Sequence, residues 1–210
     1  MEMVWQSVYY FAIALILALL EIEIEGKDGW AKKLPTWRLD NSHPLSILTG
    51  KRPATGYWLF CNLLFFVVFH QPLINALSSN VSWGLQQEMD ALFRWLVFLP
   101  VWDFLWFIFN PHFGLKKFRR SEIWWHQKVK WLFSCLPLDY LGVVLLGLAL
   151  PLLAINFGAG HIDSLTKLLT NYCPHFYYLA TQIGLVILSI ISAPLYHKIY
   201  RSLRKAKTNL

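Results

Sequence analysis

Charge is scarce in this chain. Only 15% of its residues are Asp, Glu, Lys or Arg, where a soluble domain carries about 25%. Cysteine is sparse as well. Cys61, Cys135 and Cys173 lie far apart with no CxxC spacing, which leaves no zinc knuckle or redox pair to read. Acidic Glu2 precedes the first apolar run and Glu21-Ile22-Glu23 follows it. A signal peptide needs a basic start and a small-residue cleavage site, so this run is expected to remain as a helix. No internal repeat appears, and an inverted-repeat transporter therefore has no support. The signatures of familiar membrane enzymes are missing too: no HxxxH set, no HExxH, no GxSxG and no phosphate-cradling glycine loop.

What the chain does have is long apolar blocks. Hydrophobic residues make up 56% of the 210, one domain's worth of chain. They gather into five blocks: Val4 to Leu20, Tyr57 to Leu77, Leu92 to Phe109, Leu138 to Phe157, and Phe176 to Tyr196. Each approaches the roughly 20 residues that cross a hydrocarbon slab of about 30 Å. In a bilayer only helices and closed barrels satisfy their own backbone, and continuous rather than alternating blocks select helices. The expectation is a single all-α, polytopic bundle of about five transmembrane helices over residues 1–210.

The net charge of +7 sits in short loops between the blocks, which points to membrane orientation and not to nucleic acid. Of the 19 lysines and arginines, all but Arg94 and Lys167 fall in the first loop, the third loop or the tail after His197. With five spans these segments share one side, so the positive-inside rule puts the amino terminus outside and the carboxyl terminus in the cytoplasm. A plasma (inner) membrane is the default location. Ser121 to Leu136 is too short and charged to cross. Its tryptophans suit either a helix lying in the interface, capped by Ser121, or an early extension of the fourth span.

Against this apolar background a few polar groups stand out. A carboxylate at membrane depth costs about 2.5–3.5 kcal/mol on insertion scales, so Asp103, within Val101-Trp102-Asp103-Phe104, is a functional candidate by default. On a helix it shares a face with Trp106 and Asn110. Pro100 cannot donate to the carbonyl of Leu96, which favours a kink. Glu21-Ile22-Glu23-Ile24-Glu25-Gly26 ends the first span. As a helix it puts Glu21 and Glu25 on one face with Ala14 and Ala18 above them; as an extended segment it would align all three glutamates. Trp30 and Trp37, in the glycine-containing loop that follows, suit interface anchors and pocket walls equally. In the third loop Glu122 and His126 stand at i, i+4, where the carboxylate can orient the imidazole. Asp139 opens the fourth span. His70 and Gln71 look like satisfied interhelical groups or a minor pathway element. Asn80-Val81-Ser82 fits a glycosylation sequon, a short and permissive pattern.

Five spans would bring these groups to one membrane face. The expectation is an enzyme working on a lipidic or isoprenoid-like substrate. Asp103, Glu21, Glu25, His126 and Asn110 would be its catalytic groups, and Trp30, Trp106, Trp124, Trp125 and Asp139 its substrate contacts. Glu21, Glu25, Asp103 and His126 could also hold a divalent metal ion. A small proton- or cation-coupled transporter is the rival class, and a non-catalytic membrane subunit a third.

Overall fold

The structure, a computed structural model, describes residues 2–40, 42–44, 49, 53–79, 82–158 and 165–207. Its helices are α1 (Glu2–Glu25), α2 (Gly56–Phe69), α3 (Gln71–Ser78), α4 (Leu85–Phe109), α5 (Leu138–Gly158) and α6 (Leu165–Lys207). Among the described residues four helices are long and apolar enough to cross a membrane. The α2–α3 pair is a fifth if its 44° bend lies within one span. Many large apolar side chains are exposed along these helices, among them Ile16, Leu64, Val67, Leu146, Ile187 and Ile191. Such a surface suits lipid and not water.

The bend has a chemical cause. Pro72 lacks an N–H and cannot bond the carbonyl of Val68, so the helix breaks at His70, two residues before it. His70 is a satisfied interhelical group. Its Nδ1 lies 2.7 Å from the Phe66 carbonyl and its Nε2 3.1 Å from Glu88. The sequon falls mostly outside the described residues, as do Asn80 and Val81 themselves.

Helix α4 is the centre of the bundle, the most buried of the long helices and in contact with α1, α2, α5 and α6. Contacts along its length give the helix directions. Arg94 meets Gln6 and Asn110 meets Gly26, so α1 runs parallel to α4. Ser7 bonds Tyr178 and Glu23 pairs with Arg204, so α6 runs parallel to α1. Helices α2 and α5 run the other way. Phe65 packs on Phe98 and Trp102 while His70 reaches Glu88, and Tyr140 bonds Asp103 while Gly147 lies against Phe93 and Leu96. At Gly147 an added Cβ would stand 3.3 Å from that of Leu96, so a small residue lets these two helices close up.

Three boundaries differ from the sequence reading. Helix α4 begins at Leu85, where Gln87 Oε1 accepts from the Gly84 N–H at 3.1 Å and starts the helix before its apolar block. Helix α6 runs from Leu165 through Pro174 and Pro194 to Lys207, far beyond the apolar stretch. Each proline removes one bond from a ladder held on both sides by neighbouring turns. The third difference is larger: Ser121 to Leu136 forms neither an interfacial helix nor an extension of the next span. It contains a 3-10 turn at Trp124–His126 and a short hairpin pairing Trp131 with Pro137 and Leu132 with Leu136. Phe133 and Ser134, at φ of 48° and 60°, make the reversal. The Trp131 indole donates to the His126 carbonyl at 3.1 Å, so the aromatics that suggested a membrane-lying helix hold the loop to itself.

Candidate functional site

At the end of the bundle where α1 stops and α5 begins, a cavity of about 340 Å³ opens between α1, α2, α4, α5 and the connecting loops. Its walls come from segments far apart in sequence. The α1 helix continues to Glu25, so Glu21 and Glu25 fall on one face and line the cavity, while Glu23 turns away to Arg204 at 2.9 Å. The helical alternative of the sequence therefore holds. Ala14 and Ala18 are fully buried above them. Glu21 Oε1 accepts from the Tyr57 hydroxyl at 2.8 Å, and Glu25 Oε1 accepts a short bond from the Ala31 N–H.

Past Glu25 the chain folds back as a compact loop. Gly26, Gly29, Trp30 and Ala31 all have positive φ, and Arg38 pins the loop by donating to the Ala31 carbonyl. Gly29 is required twice over. Its φ is +62°, and an added Cβ would lie 2.3 Å from the Trp125 ring. Trp30 bonds the Pro53 carbonyl at 3.2 Å and forms part of the cavity wall. Trp37 is exposed and lies outside it.

The facing wall holds the chemistry. His126 is buried with 1% exposure between two carboxylates: Nε2 is 3.1 Å from Asp103 Oδ2, and Nδ1 is 3.5 Å from Asp139 Oδ2. The Tyr140 hydroxyl donates to the same Asp103 oxygen. Both imidazole nitrogens thus face carboxylate oxygens. Glu122 does not orient the imidazole. It pairs with Arg119 at 3.6 Å, because the segment is a turn and the i, i+4 geometry never forms.

Glu21, Glu25, Asp103, His126, Asp139, Trp30, Trp106 and Trp125 all line the cavity. Asn110 and Trp124 do not. Asn110 is buried and ties the chain: its Nδ2 donates to the Gly26 carbonyl at 2.7 Å, and its Oδ1 accepts from the His112 N–H at 3.0 Å. Trp124 is partly exposed, bonds the Asp28 carbonyl at 3.2 Å and lies beneath Lys32. Both are better explained as ties between the two loops. The carboxylates and His126 share one cavity, yet among the described residues no three His, Cys, Asp or Glu side chains converge as a metal-holding group.

Sequence reasoning overlooked Tyr57, Tyr140, Trp58 and Trp102, which also line the cavity. Tyr57 and Tyr140 each sit at the polar edge of an apolar block, Tyr140 beside Asp139; a hydroxyl at such an edge was the available signal. Overlooked too was a polar cluster at the far end of the bundle, where His175 Nε2 lies 2.9 Å from Asp90 and Gln182 bonds the Ser7 carbonyl at 2.9 Å. Comparison with known proteins adds nothing to this geometry: no family, no curated protein and no solved structure matches the chain.

Proposed function

We propose that the chain is a membrane-embedded enzyme carrying out general acid–base chemistry on a hydrophobic, lipidic or isoprenoid-like substrate. One observation carries the reading: a histidine held between two carboxylates opens onto a cavity that also receives two glutamates and is walled by tryptophan. Acid–base catalysis needs a proton donor and a proton acceptor within reach of one bound molecule. Asp103, His126 and Asp139 form a proton-holding array on one wall, with Tyr140 fixing Asp103. Glu21 and Glu25, one helical turn apart, face them from the other. The aromatic walls suit an apolar substrate, and their ring faces suit a positive charge developing on it. Among the described residues the indole N–H groups of Trp106 and Trp125 are buried with no acceptor.

In this reading α2 and α3 count as one span, giving five, with the amino terminus outside and the site at the cytoplasmic leaflet of a plasma-type membrane. No step is routed through a metal. The polar cluster around His175 and Arg94 favours a transporter, since it extends polar groups toward the other end of the bundle. Between the two ends, however, stand the buried, mutually packed rings of Phe65, Phe69 and Phe98, which offer no relay. The enzyme reading is therefore preferred.

The test uses the purified full-length chain in lipid nanodiscs, incubated with a membrane lipid extract in deuterated water. Mass spectrometry should find a lipid that isomerises, hydrolyses or gains deuterium. Asp103→Asn should slow that change by about 100-fold or more while the protein melts as a folded species. No protein-dependent change in any lipid, or one that Asp103→Asn leaves intact, would overturn the reading.

A further inference from the structure

The opposite end of the bundle holds a second cavity, of about 690 Å³, between the first turns of α1, the first turns of α4 and the Pro174–His175 turn of α6. Arg94 lines it and is itself only 7% exposed. A guanidinium this deep in a membrane-length helix is unfavourable unless a counter-charge meets it. Among the described residues no carboxylate lies within ion-pair distance of Arg94.

Two acids, Asp90 and Glu2, line the cavity as well, each in contact with a group other than Arg94. Asp90, one turn earlier on the same helix, is the partner that i, i+4 spacing would choose. Its Oδ1 instead faces His175 Nε2 at 2.9 Å and accepts from Gln86 Nε2 at 2.9 Å. Glu2, at the rim, accepts from Gln6 Nε2 at 3.1 Å. What reaches Arg94 is neutral: Gln6 Oε1 stands 3.4 Å from Nη1, with the phenols of Tyr10 and Tyr178 close by. Among the described residues, its Nε, and Nδ1 of the almost fully buried His175, have no partner.

We infer that this cavity binds an oxyanion of the phosphate type, with Arg94 as its charged contact. A guanidinium presents paired N–H donors that match phosphate oxygens. Gln87, at the cavity wall, adds a neutral amide donor. The space exceeds what a bare anion fills, so a headgroup bearing further polar atoms fits as well as a free phosphate. This site is separate from the proposed catalytic cavity, and its occupancy is read without any activity.

The test is melting of the full-length chain in neutral detergent at constant ionic strength, titrated with phosphatidylglycerol, with inorganic phosphate, or with diacylglycerol as the uncharged control. Saturable stabilisation by phosphatidylglycerol alone assigns a lipid headgroup; stabilisation by inorganic phosphate assigns a free anion; either supports the site. Arg94→Gln should weaken the binding by about tenfold, and Arg94→Lys should weaken it less. Binding unchanged in both variants would overturn the inference. So would a wild-type chain that neither phosphate compound stabilises beyond diacylglycerol, a result that stands even if Arg94→Gln fails to fold.

Discussion

His126 is the residue on which the site's electrostatics turn, since it stands between Asp103 and Asp139. Removing its ring leaves the two carboxylates with no group between them. His126→Ala should cost about 2 kcal/mol, below the 3–5 of a fully buried pair because each carboxylate is still a third exposed. Adding Asp103→Asn should recover part of that loss, and a thermal-melting double-mutant cycle reads the coupling. Gly29→Ala forces a Cβ into the Trp125 ring at positive φ. It should destabilise the chain by about 2 kcal/mol in the same assay. His112 titrates differently. Partial burial first, then Lys27, Lys117 and Arg204, hold its imidazole below the ordinary value of about 6.5. Its neutral form is the one the fold favours. This contribution is therefore complete above that value and is lost as pH falls toward the lower, folded one. Replacing it in His112→Gln should flatten the decline in melting temperature between about pH 7 and pH 5.

Among the elements, the hairpin after Trp131 and the end of α1 show what a change of local structure does. Ser134 sits at φ 60°, a conformation that glycine adopts freely, so Ser134→Gly should raise stability by about 0.5–1 kcal/mol in chemical denaturation. At the end of α1, Glu23 pairs with Arg204 where both are half exposed. Glu23→Gln should therefore shift melting by less than about 1 kcal/mol, a small effect for a charge so close to the site. These elements also show what was legible in the sequence. The Glu21/Glu25 face could be read because a helix of known period ends there and alanines continue the same stripe. Asp103 was legible because a lone carboxylate in an apolar run has few bland explanations. The hairpin was not, since Trp124, Trp125 and Trp131 read equally well as membrane anchors until the chain's return path was known. Nor was the role of Asn110, whose partner, the Gly26 carbonyl, is a backbone atom that no side-chain pattern announces. The Tyr140 hydroxyl could not be distinguished from the rings around it.

For the whole molecule, the arrangement of loops gives a topological test. With native cysteines replaced, Lys32→Cys and Lys116→Cys should react with an impermeant maleimide from the side of the carboxyl terminus, and Gln87→Cys from the other side. Labelling of all three from one side would contradict five spans. The parallel clasp of α1 and α6 has a further consequence, for biogenesis. Ser7 finds the Tyr178 carbonyl 171 residues later, Gln182 returns to the Ser7 carbonyl across 175, and Arg204 reaches Glu23 across 181. Helix α1 is thus made well before the partner that covers one of its sides. Until then Ser7 and the neighbouring backbone face either lipid or whatever assists insertion. Completion of this bundle, and closure around Arg94, depends on α6, which is made after α1 to α5.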